Sequence, residues 1–284
     1  MYPVFFELPS WVPFLGSQPI TSFGVFMLLA FLTAGYVLRS ELRRVGEDPE
    51  KAWDFVFMAV VGGILGAKGY YLVLNWPRLV ENPGAMLMSR GGLVWYGGFL
   101  LATALVIWEI RRQKMSVPSV ADLMAPALAL AYGVGRIGCF MVGDDWGLPT
   151  ASRFGVRFPQ GTPATTVQNI EQMFGVTVDP ALIEEYGQVV PVHPTQLYEV
   201  GISTLIFFGL WRIRGHRHKP GWLFLVWLAC AGMERFLVEF LRAKRSLRKG
   251  LAARPDRADL VRRNVLSPGG GAGTPGARAA RRSA

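Results

Sequence analysis

The chain is poor in the residues that build disulfide frameworks and metal sites. Only two cysteines occur among 284 residues, Cys139 and Cys230. Both sit in apolar segments, so neither a disulfide scaffold nor a zinc spacing is available, and both read as buried free thiols. No phosphate loop and no His/Cys/Asp ligand spacing occurs, so no nucleotide cofactor and no metal is expected. The N-terminus lacks a basic n-region and a small-residue cleavage site ahead of its first long apolar run. That run is therefore expected to remain as a helix. Net charge is missing from most of the chain as well. Of the residues behind the formal +10, 12 Lys+Arg and 2 Asp fall in 241–284, leaving 18 of each sign in 1–240. A basic face for nucleic acid has nowhere to form in the body, and no nucleic-acid partner is expected.

What the chain has in quantity is apolar length. Half of it (51%) is hydrophobic and 33 residues are glycine. A hydrocarbon core about 30 Å thick needs about 20 apolar residues in a helix. Runs of that kind are expected at Pro19 to Leu38, Trp53 to Leu74, Gly91 to just before Arg111, Ala121 to Val142, from His193 to the cluster Arg212, Arg214, Arg217 and Lys219, and Gly221 to Leu241. This predicts an all-α polytopic membrane protein with about six transmembrane helices. Residues 1–242 form its membrane domain, with a polar excursion at 144–194 between the fourth and fifth spans. Residues 1–18 mix prolines with Phe5, Phe6, Trp11 and Phe14, which predicts a short turn of helix at a membrane surface. Gly62, Gly63, Gly66 and Gly69 mark a close-packed face on the second span, and Lys68 is expected to snorkel to the headgroups. In the excursion, Phe154 to Phe158 alternates like a short strand. The tail, 243–284, is basic and Gly/Pro/Ala-rich and reads as disordered.

Inside the fourth apolar run stands an arginine, in Gly135-Arg136-Ile137-Gly138-Cys139-Phe140-Met141-Val142-Gly143-Asp144-Asp145-Trp146-Gly147. An ionisable group at bilayer depth needs a partner, since the cost of an unpaired one is several kcal/mol or more. Two roles are open to Arg136. It is either an internal strut pairing Glu199, Glu234 or Glu239, or a planar fork for a phosphate or carboxylate. Downstream, His193-Pro194-Thr195-Gln196-Leu197-Tyr198-Glu199 places Gln196 and Glu199 on one helix face. His193 has the unperturbed pKa suited to proton transfer, or else it only caps the loop. In Glu234-Arg235-Phe236-Leu237-Val238-Glu239-Phe240-Leu241-Arg242, Arg235 and Glu239 are spaced to pair with each other or with other helices.

These three stretches, with Gly91-Gly92-Leu93-Val94-Trp95-Tyr96-Gly97-Gly98, resemble the motifs of prolipoprotein diacylglyceryl transferases, bacterial inner-membrane enzymes. The resemblance spans roughly Phe23 to Arg242. It implies transfer of a diacylglyceryl group from phosphatidylglycerol to the lipobox cysteine thiol of a preprolipoprotein signal peptide, with glycerol phosphate released. It also implies catalytic roles for Arg136, Arg235, His193 and Tyr96. Substrate binding would fall to Arg136, Gly97, Gly98, Asp144, Gly147, Gln196, Glu199 and Glu239, with Asp144, Glu199 and Glu239 holding the arginines in place.

The chain departs from the pattern in places. Phe23-Gly24 stands where the family usually has Tyr-Gly, and Cys139 where it often has asparagine. Tyr96 replaces a histidine proposed to help activate the nucleophile. Tyrosine, with an unperturbed pKa near 10, is a poor base at neutral pH, so Tyr96 either orients substrate or is an interface aromatic. The family usually has one further span after the sixth. Its lack predicts a replaced C-terminus and impaired activity. The short-loop Lys and Arg at 39–51, 111–119 and 212–220 fall on one side, which the positive-inside rule makes cytoplasmic; the site residues then face the periplasm. The competing reading is a transporter or channel for an anionic solute, lined by Arg136 and Arg235.

Overall fold

The computed structural model describes residues 3–7, 19–89 and 92–242. The expected start of the third span at Gly91, most of the interfacial reading of residues 8–18, and the disordered reading of 243–284 lie outside the described residues.

Among the described residues, six helices of 18 or more residues carry the fold: α1 (Ser22–Arg44), α2 (Lys51–Leu74), α5 (Trp95–Arg112), α6 (Val117–Val142), α9 (Thr195–Ile213) and α10 (Trp222–Glu239). Shorter elements fill the connections: α3 (Trp76–Glu81), α4 (Pro83–Met88), α7 (Val167–Asn169) and α8 (Pro180–Tyr186). Three of the long helices, α1, α2 and α6, are long and apolar enough to cross a membrane. The other three carry more charge or polarity: Glu109, Arg111 and Arg112 in α5, Gln196, Glu199 and Arg212 in α9, and Glu234, Arg235 and Glu239 in α10. The chain is thus a mostly helical protein with membrane-spanning character.

Local chemistry sets the helix ends. Thr21 caps α1, its Oγ1 accepting from Gly24 N at 3.2 Å, and Arg43 and Arg44 close the far end where the helix dipole favours cations. Gly143 stops α6 with φ 72°, a left-handed cap that a side chain would disfavour. Pro194 lies just ahead of α9, at its N-cap position.

Helix α2 lies along α5, and α1 and α9 lie along α6. Of the glycine face expected on α2, Gly62 and Gly66 make the first contact close, whereas a Cβ on Gly63 or Gly69 would meet nothing within 4 Å: a Cβ on Gly66 would stand 2.3 Å from Gly97 O, and one on Gly62 2.5 Å from Ala102 Cα. No side chain fits there, so backbones approach as small-residue faces in membranes do. One apolar cluster, Leu38, Leu42, Phe55, Ile110, Val120 and Leu123, joins α1, α2, α5 and α6. Large apolar side chains such as Val73, Leu100, Leu205 and Leu225 point outward, as a lipid-facing surface requires.

Three local expectations are corrected. Val4–Glu7 is a β-strand paired antiparallel with Pro19–Thr21, not a surface helix; the ladder between the two extended pieces satisfies backbone groups that a lone helical turn would leave open. Arg153 and Phe154 lie in a turn, and only Val156 forms a bridge, with Val192, so the alternating run at 154–158 is no strand. Lys68 does not simply reach outward, because its Nζ donates to Ser89 O at 2.7 Å and Ser89 Oγ at 2.9 Å. The polar excursion has its own small core of Trp146, Phe158, Ile170, Leu182, Val190 and Val192.

Candidate functional site

The site grows from one carboxylate. Glu199, on the first turns of α9, is fully buried, and a buried charge survives only when it is paired and hydrogen-bonded. Arg136, from the last turns of α6, donates to Glu199 Oε2 through both Nε and Nη2. Arg235, from α10, donates to Oε1 at 3.1 Å, and the Tyr132 hydroxyl donates to the same oxygen at 2.9 Å. Two guanidiniums from different helices therefore meet at one acid, 8% exposed in the case of Arg136. Of the partners open to Arg136 in the sequence, Glu199 is the one it takes. Glu239 lies 3.9 Å from Arg235 Nη2, a looser i,i+4 pair.

A second acid ties this centre to the excursion. Arg136 Nη1 donates to Asp145 Oδ2 at 3.0 Å, and Arg242 donates to Asp145 Oδ1. Asp145, not Asp144, is thus the aspartate that holds an arginine, which corrects the role expected of Asp144. The reason is geometric. Asp145 has φ 55°, and this left-handed turn just past the Gly143 cap brings its carboxylate back over α6. Burial drives the Asp145 carboxyl upward, but the Arg242 charge and the Arg136 hydrogen bond outweigh it and hold it below the usual carboxylate range. Burial, reinforced by the neighbouring Asp145 charge, pushes Asp144 up.

The first turn of α9 closes the cluster. Gln196, also fully buried, donates through Nε2 to Asp144 O, while Thr195 Oγ1 donates to Asp145 O at 2.7 Å. This fixes the Gln196 amide, because a flip would set two acceptors face to face. Gly147 donates its N–H to His193 O at 2.8 Å, and Leu148 donates to Leu241 O at 2.7 Å. A Cβ on Gly147 would lie 2.5 Å from Leu241 O and 2.8 Å from His193 Cβ, so glycine is needed for the excursion to dock here. The His193 ring contacts the Tyr198 hydroxyl through Nδ1 at 3.2 Å.

The structure thus groups Arg136, Arg235, Glu199, Glu239, Gln196, Asp144, Gly147 and His193 around one end of α6, α9 and α10. It does not bring Tyr96, Gly97 and Gly98 into that hydrogen-bond network. Tyr96 is 67% exposed at the start of α5, edge-on to Trp95. Gly97 and Gly98 are buried against α2, where a Cβ would strike Gly66 O and Gly63 O. Sequence reasoning missed Tyr132, Asp145 and Arg242 as members, and gave Glu234 no role beyond a possible partner of Arg136. Tyr132 stands four residues, one helical turn, before Arg136, and that spacing was the available signal.

At this site three buried acceptors, Gln196 Oε1, Asp144 Oδ1 and Glu234 Oε1, have no hydrogen-bond partner among the described residues. Such atoms suit a ligand that carries donors. Cys139 Sγ and carboxylate oxygens of Asp144 and Asp145 lie within 4.8 Å of one another. Both Asp145 oxygens already take guanidinium donors, so a cation there would have to displace an arginine. Arg136 already spends Nε, Nη1 and Nη2 on Glu199, Asp145 and Cys139, whereas Arg235 is 43% exposed and is the guanidinium more open to an anion.

Comparison with known proteins bears on the same residues. The family described as prolipoprotein diacylglyceryl transferase matches residues 9–256. A separate short match, to the RPEL repeat, covers 246–268, outside the described residues. Among curated relatives, the phosphatidylglycerol–prolipoprotein diacylglyceryl transferase of Clostridium tetani is 30% identical over 85% of this chain and 86% of its own length. The proteins of the same name from Stenotrophomonas maltophilia and Geobacter sulfurreducens are 32% and 30% identical, over 80% and 84% of this chain and 78% and 82% of theirs. With the match running through the helices that carry Arg136, Glu199 and Arg235, the chain belongs to the prolipoprotein diacylglyceryl transferase family.

Proposed function

We propose that the protein transfers the diacylglyceryl group of phosphatidylglycerol to the lipobox cysteine thiol of a preprolipoprotein. It acts as a multi-pass protein of the bacterial inner membrane, with the Glu199 cluster toward the periplasm and six helices crossing the bilayer. The observation that carries this reading is the convergence of Arg136 and Arg235 on Glu199. A phosphodiester headgroup brings an anion to be gripped by such a pair.

In the reaction the cysteine sulfur forms a bond to the glyceryl carbon. The bond from that carbon to the phosphate oxygen breaks, and glycerol phosphate leaves with the electron pair. Charge builds on the leaving phosphate, so guanidiniums held in place by Glu199 and Asp145 bind it more strongly in the transition state than in the ground state. The thiol is a weak nucleophile until it loses its proton. We assign the proton acceptor to His193 rather than Tyr96. His193 is held beside Gly147 at the cluster, and its Nε2 is the ring nitrogen not engaged by Tyr198. The acceptors Gln196 Oε1 and Asp144 Oδ1 take donors from the glycerol hydroxyls of the headgroup. The attacking sulfur belongs to the substrate, and Cys139, beside Arg136 at 3.4 Å, packs the arginine rather than attacks.

The test is direct. The purified full chain, reconstituted with phosphatidylglycerol and a lipobox peptide, should yield a thioether-linked diacylglyceryl peptide and an equal amount of glycerol phosphate. Flux of an anionic solute across the vesicles without either product would favour the transport reading instead.

A further inference from the structure

At the end of the bundle away from Glu199, the connections 45–50, 113–116 and 214–221 meet around a cavity of about 600 Å³. Arg44, Lys114, Arg214 and His216 line it together with Leu123 and Leu223. Its charges do not cancel. Arg44 donates to Glu41 Oε2 through Nε at 3.0 Å and Nη2 at 2.7 Å, and Arg214 Nη1 donates to Oε1 of the same fully buried acid at 2.9 Å. One carboxylate therefore answers two guanidiniums. Lys51 is matched by Glu47 at 2.7 Å.

Asp122 is committed elsewhere. Its two oxygens accept from Gly221 N at 2.7 Å and Phe224 N at 2.8 Å, anchoring the start of α10, and His216 Nε2 lies 3.7 Å away. Lys114 has no ion pair among the described residues, and its φ of 58° is a conformation that lysine seldom adopts. Counting Arg44, Lys51, Lys114 and Arg214 against Glu41, Glu47 and Asp122 leaves an excess cation before either nearby histidine is protonated.

The donors are also held ready. The Arg214 guanidinium lies 3.5 Å over the Trp211 ring, so its plane is fixed. Arg44 Nη1 and Arg214 Nη2 have no protein acceptor among the described residues. Two fixed forks, an ammonium and an apolar wall make a receptor for a phosphate group attached to something less polar.

We propose that this cavity is a second, non-catalytic binding site for a phosphate-bearing anion. The phosphate oxygens take the spare N–H groups of Arg44 and Arg214 and the Lys114 ammonium, while the remainder of the ligand lies against Leu123 and Leu223. Two sources share that chemistry: the headgroup of an anionic phospholipid, and a soluble phosphate monoester. On the orientation proposed above, the former comes from the inner leaflet and the latter from the cytosol. Binding itself does not depend on that orientation or on transferase activity.

The experiment is hydrogen exchange on the delipidated full chain in detergent, read separately at 113–116 with 214–221 and at 144–150. The additions are dioleoyl phosphatidic acid, dioleoyl phosphatidylcholine and glycerol 3-phosphate. Phosphatidic acid should slow exchange at the 113–116 and 214–221 segments. Lys114→Asn, an exposed change to a residue that accepts positive φ, should shift the half-effect concentration there upward by roughly tenfold, with the response at 144–150 unchanged. Adding Arg214→Gln should abolish the protection. Protection by the lipid alone identifies a headgroup, and protection by glycerol phosphate as well shows that the soluble anion suffices. Equal protection by phosphatidylcholine, or an unshifted response in Lys114→Asn, overturns the proposal.

Discussion

Replacing Glu199 by glutamine tests whether one carboxylate organises the site. The substitution is nearly isosteric, so cavity and packing effects are small and the charge is what changes. In the native protein Glu199 takes two donors from Arg136, one from Arg235 at 3.1 Å and one from Tyr132 at 2.9 Å. A glutamine keeps one oxygen. With that oxygen serving Arg136, its NH2 faces Arg235 and Tyr132, setting donor against donor at Arg235. Arg136 retains Asp145, but a guanidinium only 8% exposed has lost its main counter-charge. Breaking a buried pair by neutralising one member costs about 3–5 kcal/mol, a large share of a total stability that is commonly about 5–15 kcal/mol. Glu239→Gln is the internal control: its pair with Arg235 is 3.9 Å long and 43% exposed on both sides, so its effect on stability should stay within about 1 kcal/mol. Unfolding of both variants would be followed in detergent by denaturant titration, beside the lipidation rate. Equal stability of Glu199→Gln and the parent protein would refute the hub assignment.

Three other outcomes are expected. Arg136→Lys keeps the charge but cannot serve Glu199 and Asp145 together, so product formation in the reconstituted assay should fall by about 100-fold or more; retention of most activity would mean that the fork is not used. Tyr96→Phe should leave activity within about threefold, the size of effect that no loss of a transition-state contact would give, whereas Gly97→Ala should destabilise by about 1–3 kcal/mol, because its Cβ would lie 2.3 Å from Gly66 O and Tyr70 Cβ. The two aspartates should show opposite acid dependence. Asp145, held low, contributes stability above its unfolded-state pKa of about 4 and loses it as the pH falls through its lower folded value. Asp144, held high, contributes below about 4 and loses that contribution as the pH rises through its raised folded value. At neutral pH, Asp145→Asn should therefore lower the thermal midpoint and Asp144→Asn should not; the reverse order would show that the wrong aspartate is paired.

Helix content, the run of apolar segments and the family were legible from the residues in order, because each rests on local information. Apolar length needs only counting, Gly62 and Gly66 announce a close helix face wherever it lands, and the Arg136, His193 and Arg235 stretches are contiguous strings. An ionisable residue inside such a run also implies a partner, since leaving it unpaired is too costly. Which partner is another matter. Glu199, Glu234 and Glu239 all satisfied the sequence, and only the packing of α9 against α6 put Glu199 within reach of both arginines. The choice of Asp145 over Asp144 turned on a left-handed turn past Gly143, a backbone decision that neighbouring identical side chains cannot reveal. Tyr96 went the other way: its motif is continuous with the family's, yet α5 packs along α2, and the ring ends up exposed beside Trp95. Periodicity and motif determine what a segment is; the register in which helices meet decides which charges share an atom.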